Sequence, residues 1–382
     1  MVKVKTAFLI FFLIPPALFS QQSLWKNILH EVQQKYAPDH RTAVFDVTGS
    51  ETASGIVLRG EVDNPAAKKN LIETLKEKTH KIILDHIIVL PDETVGTKNF
   101  GVVTVSVGNM RTKPGEAAEL SSQVLMGTVV KILKRSQNYF YVQSPDNYLG
   151  WLSAEALHRF DVAEIKAWNA ASKAIVTEIF GIVREQPSQE SSPVCDVVAL
   201  CVLKSHEKKN GWTAVELADG RKGFIQNSIV QDCTDWNNSR QLTADNLERS
   251  AKMLLGVPYL WGGTSTKAVD CSGFTKTVYR FNGKELARDA SQQAAEGTAV
   301  DARTNFQNLH KGDLLFFARK ANGEEAERII HVAMYLGNKL FIHSIGRVRY
   351  GSFDPASSYY DASLEKSFVR ARRILSEKPS SK

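Results

Sequence analysis

Cysteine is scarce in this 382-residue chain, and its four copies never form the close pairs that hold zinc or iron. His331 and His343 lie too far apart to ligate a metal from successive turns of one helix, so no metal and no cofactor are expected. No basic cluster alternates with aromatics, which removes the footprint of nucleic-acid binding. The formal charge is +7, and setting aside residues 1–20, with Lys3 and Lys5, leaves 7 − 2 = +5. Spread over several domains that charge is mild, compatible with anionic surroundings but too weak to define a partner. The apolar run from Ala7 to Phe19 is short for a membrane span. With Lys3 and Lys5 before it and Ser20 after it, it reads as a secretory signal peptide over residues 1–20. No cysteine follows closely, so a lipid anchor is not indicated. The mature chain is therefore expected across the inner membrane, in the periplasm, with no stable membrane insertion and as a monomer. Export permits disulfides, and Cys195, Cys201 and Cys233 are candidates for one pair.

A chain this long exceeds one compact core, so several domains are expected. Residues 22–36 carry an amphipathic stripe of Leu24, Ile28, Val32 and Tyr36. Strands over Thr42–Val47 and Gly55–Val62, a helix opening at Pro65, and a strand over Ile82–Leu90 complete a small α+β module, residues 22–98. Its order resembles BON-like modules. Next comes an internal repeat. Met110-Arg111, Pro114, Val142, Asp146 and Gly150-Trp151-Leu152 recur, always 73 residues on, as Val183-Arg184, Pro187, Val215, Asp219 and Gly223-Phe224-Ile225. Strand-favouring runs such as Val124–Leu133 and Val197–Leu203, punctuated by turn residues, make each copy a small all-β barrel. The barrels are assigned to 99–160 and 175–235; helical character over Ala154–Ser172 gives a linker helix at 161–174. Both copies resemble bacterial SH3-like domains. Residues 376–382 form a polar tail expected to be disordered.

The most informative stretch is Pro258–Phe274, PYLWGGTSTKAVDCSGF. Gly262-Gly263 marks a loop, and Phe274, Val278 and Phe281 recur at helical spacing, so Cys271 sits at the first turn of a helix. Free backbone N–H groups and the helix dipole there favour a thiolate and could hold the oxyanion formed when it attacks an amide. A base must accompany such a nucleophile. Ile329–Leu336 and Lys339–Ser344 read as two strands joined at Gly337-Asn338, carrying His331 and His343. A two-residue turn would put the histidines on opposite faces. A three-residue loop with Asn338 in the left-handed position would pair Tyr335 with Lys339 and set His331 directly across from His343, and that loop is the expectation.

The Cys271 motif, the two histidine strands and Lys311-Gly312-Asp313-Leu314-Leu315-Phe316-Phe317 before them resemble the NlpC-type family of papain-like bacterial cell-wall peptidases, over residues 243–375. The resemblance implies a multidomain α+β chain with a papain-like catalytic domain. Cys271 would be the nucleophile, His331 the general base and His343 its orienting partner. Tyr259 would join the oxyanion hole and Trp261 would wall the cleft. Asp289 would hold the α-ammonium of an N-terminal L-alanine, with Ser291, Ser272 and Asp270 near substrate. Asp270 could equally cap the Cys271 helix, and Asp289 or Ser291 could cap another. Ala333 departs from the glycine the family usually has there. Glu119 and Tyr148 belong to the first barrel copy alone, since the second has Ser192 and Arg221, and relatives use that barrel to contact the free amine. The implied reaction is hydrolysis of the γ-D-glutamyl–diamino acid bond in peptidoglycan-derived peptides with a free N-terminal L-alanine, in murein recycling. An endopeptidase on intact wall with the barrels as anchors, a non-catalytic wall-binding protein, and a thioesterase or acyltransferase on the same scaffold are the alternatives.

Overall fold

The computed structural model describes residues 17–302, 306–319 and 326–375. Residues 1–16 of the expected signal peptide and the tail 376–382 lie outside them. The chain divides into two compact units, Met1–Asp92 and Glu93–Lys382. No helix among the described residues is long and apolar enough to cross a membrane.

In the first unit, α1 (Ala17–Tyr36) buries Ile28 and Val32 as its stripe requires, with Trp25 beside them. Strand β1 (Phe45–Thr52) pairs antiparallel with β2 (Gly55–Val62), and α2 (Pro65–Thr79) crosses over to β3 (Ile83–Val89), parallel to β2. Helix α2 begins where Asn64 accepts the Ala66 N–H and Pro65 supplies its fixed φ; it ends at His80, left-handed at φ 55°. The first strand runs later than Thr42–Val47, because the Asp39–Thr42 backbone bond makes a turn there.

The second unit opens with two sheets of one topology. Strands β4 (Phe100–Val103), β5 (Val107–Arg111), β6 (Leu120–Leu125), β7 (Val129–Ser136), β8 (Tyr139–Gln143), β9 (Leu149–Ser153) and β10 (Leu157–Phe160) pair in the order β10-β4-β7-β8-β9-β5-β6. After helix α3 (Val162–Ala170) come β11 (Lys173–Val176), β12 (Gly181–Arg184), β13 (Pro193–Val197), β14 (Val202–Lys209), β15 (Trp212–Glu216), β16 (Lys222–Gln226) and β17 (Val230–Asp232), which repeat that order. Neither Val124–Leu133 nor Val197–Leu203 is one strand. Each folds back at a left-handed residue, Gly127 at φ 82° and Leu200 at φ 71°, positions 73 apart. The linker helix starts at Val162 rather than Ala154 because Leu157–Phe160 pairs with β4.

Short α4 (Cys233–Asn238) and α5 (Ala244–Met253) lead to β18 (Thr264–Ser265) and β19 (Ala268–Val269), a tight hairpin that delivers the chain to α6 (Cys271–Phe281). Helix α6 buries every residue except Arg280. It is the central helix, packed on a six-stranded sheet of order β20-β25-β21-β22-β23-β24, comprising β20 (Thr298–Val300), β21 (Leu314–Arg319), β22 (Arg328–Gly337), β23 (Leu340–Ile345), β24 (Arg347–Ser352) and β25 (Phe368–Arg373). Short helices α7 (Ala290–Gln293) and α8 (Ala362–Ser367) complete it.

All four cysteines are free thiols, so the expected pairing among Cys195, Cys201 and Cys233 is not made. Cys201 instead bonds the Ser106 carbonyl and the Val198 N–H inside the barrel core.

The first barrel seats closely on the catalytic domain. Gln123 takes both the Thr264 N–H and its hydroxyl at 3.0 Å, and Lys276 reaches Asp146 at 3.0 Å. Gly262, at φ 80°, lets the chain pass where a Cβ would stand 2.5 Å from the Leu120 carbonyl oxygen. Gly262→Ala is expected to destabilise by about 1–3 kcal/mol through backbone strain and this clash, measured by urea denaturation against the wild type.

Candidate active site

Asp270 sets the start of α6. Its Oδ1 accepts the Gly273 N–H at 2.7 Å as the helix cap, and its Oδ2 accepts the Gly262 N–H at 3.0 Å. Arg288, only 2% exposed, donates to Oδ2 at 2.6 Å and to Oδ1 at 3.3 Å. A buried guanidinium would ordinarily lose affinity for its proton, but the Asp270 carboxylate outweighs that and its pKa rises. Arg288 also donates to Ser272 Oγ at 3.1 Å and, through Nε, to Ser122 Oγ of the first barrel at 3.2 Å. Ser272 bonds Asp270 in turn. The cap expectation for Asp270 is therefore met. The Asp270 and Ser272 side chains are both buried and bonded to protein groups.

Cys271 follows as the first residue of the helix. Its sulfur lies at the backbone N–H groups of Ser272 and of Val332, the residue after His331. Burial nonetheless pushes the thiol up to about 12, with Asp270 adding to the rise. Desolvation of the buried sulfur thus acts against the thiolate expected from the helix terminus. The histidines answer in kind. His331 Nε2 meets His343 Nδ1 at 2.9 Å, and burial pushes His331 down to about 3 and His343 down to about 4. Burial thus favours a neutral thiol beside neutral imidazoles, with charge appearing only as the proton passes to His331.

The histidines meet by a different register from the one expected. Asn338 and Lys339, at φ 50° and 62°, form a two-residue turn between Gly337 and Leu340. Leu336 is then an extra, bulged residue, and Tyr335 pairs with Phe341 and Met334 with Ile342. The bulge restores the side-chain parity that the short turn would have reversed, so the imidazoles share a face as diagonal neighbours. Phe317, paired with His331 across β21, and Phe341 pack against them, their ring centroids 5.5 Å from His331 and 5.3 Å from His343 respectively. Ala333 is fully buried on the same strand, where its methyl is accommodated.

Tyr259 is half-buried and its hydroxyl is pushed up to about 12 by burial, then by the negative charges that Cys271 and Asp270 can carry, so it remains a donor. Trp261 is 61% exposed and donates to Glu119 Oε1 at 2.7 Å. Asp289 starts α7 in a capping box with Gln292, and its Oδ2 also accepts the Tyr148 hydroxyl at 3.0 Å. Capping and contact with the first barrel therefore coexist at one carboxylate. Ser291 lies exposed on α7. Arg221, the second copy's counterpart of Tyr148, instead donates to the Thr104 carbonyl at 2.8 Å. No cluster of three or more His, Cys, Asp or Glu side chains suited to a metal occurs among the described residues.

Sequence reasoning missed Arg288, Gln293 and Ser122. Gln293, fully buried, takes the Thr275 hydroxyl at 2.8 Å and donates to the Ser272 and Ala287 carbonyls, fixing α7 to α6. Arg288 had a signal, as a charge just before a helix cap. Ser122 had none, because its partner lies in another domain.

Residues 256–373 match the NlpC/P60 family, and residues 110–157 match the bacterial dipeptidyl-peptidase SH3 domain. Dipeptidyl-peptidase 6 of Lysinibacillus sphaericus is 28% identical over 272 residues, 69% of this chain and 95% of the relative. The γ-D-glutamyl-L-lysine dipeptidyl-peptidase of Bacillus cereus is 30% identical over 236 residues, 60% of this chain and 68% of the relative. Among solved structures, an NlpC/P60 family protein from Bacillus cereus superposes with a TM-score of 0.61 at 25% identity, covering 72% of this chain and all of that one.

Two outcomes are expected. Arg288→Ala, which strands Asp270 as an unpaired buried charge, should cost about 3–5 kcal/mol in chemical denaturation. The depressed histidine pKa values imply that the unfolded chain takes up protons first as pH falls below the ordinary 6.5. The stability of burying two neutral imidazoles is therefore complete above that value and is lost as pH falls toward about 4 and then about 3. Melting temperature should drop between pH 7 and 4.5, and less steeply in His343→Asn.

Proposed function

The chain belongs to the NlpC/P60 family of cysteine peptidases, and from that premise we propose that it hydrolyses the γ-D-glutamyl–diamino acid bond of peptidoglycan stem peptides whose N-terminal L-alanine is free. The observation that carries the reading is the Tyr148 hydroxyl on the Asp289 carboxylate, 3.0 Å across the meeting of barrel and catalytic domain. A substrate ammonium taken out of water there finds a fixed carboxylate, while an acylated alanine offers no charge to match it. Glu119, held by Trp261 a short way along the same barrel, adds a second acceptor at the mouth. Ser291 is the remaining polar side chain offered to this end of the substrate.

The chemistry follows from the neutral resting state. His331 removes the Cys271 thiol proton as the sulfur attacks the γ-carbonyl carbon, and His343 stabilises the resulting imidazolium through the bond between the rings. The N–H of Cys271 at the helix start and the Tyr259 hydroxyl donate to the oxyanion. His331 then protonates the departing amine and leaves a thioester on Cys271. Water, deprotonated by His331, attacks the thioester and releases L-Ala-D-Glu, returning the proton to sulfur. Atoms and charge balance with water as the sole co-reactant. An intact wall acylates the alanine, so the enzyme would trim released peptides, in murein recycling in the periplasm.

The mature protein should cleave L-Ala-γ-D-Glu-meso-diaminopimelate into dipeptide and free diamino acid, read by mass spectrometry, while N-acetylated peptide and intact sacculi survive. Equal rates on blocked and free peptide would remove the amine clamp; release of fragments from sacculi alone would make this a wall hydrolase with anchoring barrels. Cys271→Ala should abolish turnover and leave the melting temperature within a few degrees. The acid limb of kcat/KM should lie below the ordinary imidazole range, since burial lowers the His331 pKa.

A further inference from the structure

A cleft of about 390 Å³ opens beside the catalytic sheet, lined by His343, Arg347, Arg349, Tyr350, Tyr359 and Asp361 among others. The ladder between β23 and β24 sets Arg349 directly opposite His343 and Arg347 opposite Ile345. The start of β24 also touches the segment bearing Tyr259: Pro258 bridges to Arg347, and the Tyr259 N–H donates to the Gly346 carbonyl at 2.9 Å. Two elements of the proposed reaction site therefore border this cleft.

Its two arginines are exposed, and among the described residues neither makes an ion pair or a side-chain hydrogen bond. Three other arginines of the domain are paired, Arg288 to Asp270, Arg373 to Asp313 and Arg370 to Glu327. Asp361, the acid in the cleft, is occupied in capping α8, where it accepts the Ser363 and Leu364 N–H groups at 3.0 and 3.2 Å. Positions 347 and 349 share a face of one strand, so two like charges stand side by side, with Asp361, whose carboxyl pKa Ser363 and then Arg349 help to lower, as the nearby acid. Charge on an edge strand blunts unwanted strand pairing, but that purpose needs neither a cleft nor a neighbouring catalytic histidine.

Resting on the proposed reaction, we propose that this cleft receives the leaving diamino acid, and that Arg347 and Arg349 bind the carboxylate at the far end of its side chain. His343, whose ring bonds His331 at 2.9 Å, lines the cleft beside Arg349, so on this proposal the far end of the leaving group passes His343 to meet the arginines. Diaminopimelate carries a carboxylate there and lysine does not, so the arginines select the former. A planar guanidinium pair suits a carboxylate bidentately.

The test compares kcat/KM on L-Ala-γ-D-Glu-meso-diaminopimelate with that on L-Ala-γ-D-Glu-L-Lys, for wild type and for the R347Q/R349Q double variant. Wild type should prefer the diaminopimelate peptide by about tenfold or more, the effect of one charge-assisted pair. The variant should bring that ratio close to one chiefly through a higher KM for the diaminopimelate peptide, with the lysine peptide cleaved much as before. A wild-type ratio near one, or a variant that loses both activities equally, would overturn the subsite while leaving the peptidase reading intact. Wild type cleaving neither peptide would overturn that reading, and the subsite with it.

Discussion

The bond on which the catalytic end of this protein depends is the buried pair of Asp270 and Arg288. Asp270 alone would be an ordinary helix cap. Joined to Arg288 it becomes a junction: one carboxylate fixes the first turn of α6, the glycine loop at Gly262 and the guanidinium, and the guanidinium reaches Ser272 and Ser122. The residue after Arg288 is Asp289, which meets Tyr148. Nucleophile, loop, amine-side carboxylate and first barrel are thereby referred to one charge pair. Such a pair contributes little net stability after desolvation, but it is costly to break, which suits a part whose task is placement.

Electrostatically the site is quiet at rest. Sulfur, both imidazoles and the Tyr259 hydroxyl are all driven toward their neutral forms, and the first cause in each case is burial. An ion pair of thiolate and imidazolium would have to exist without water around it. Charge instead develops during attack, where backbone N–H groups already point, so little of the surroundings must reorient.

Much of this was legible in the chain itself. The cysteine with its glycine loop, the two histidine strands and the gapless repeat appear in the structure as helix start, paired imidazoles and two sheets of one topology. What was misread depended on what a linear pattern does not carry. The thiol shift reflects the depth at which α6 is buried. Arg288 and Ser122 depend on a barrel folding back over the catalytic domain. In the histidine hairpin, two features escaped notice and cancelled: the turn is one residue shorter than inferred, and a bulge at Leu336 makes up the difference.

That cancellation governs how the hairpin can change over evolutionary time. Side-chain direction along a strand depends only on whether a count is odd or even. A single-codon insertion or deletion between His331 and His343 would turn one imidazole away from the other, whereas a gain or loss of two would keep them on a common face. Length variation in this segment among descendants should therefore proceed in even steps, or by one-residue changes matched at once by the loss or gain of a bulge. The spacing of the two histidines is inherited as a parity before it is inherited as a distance.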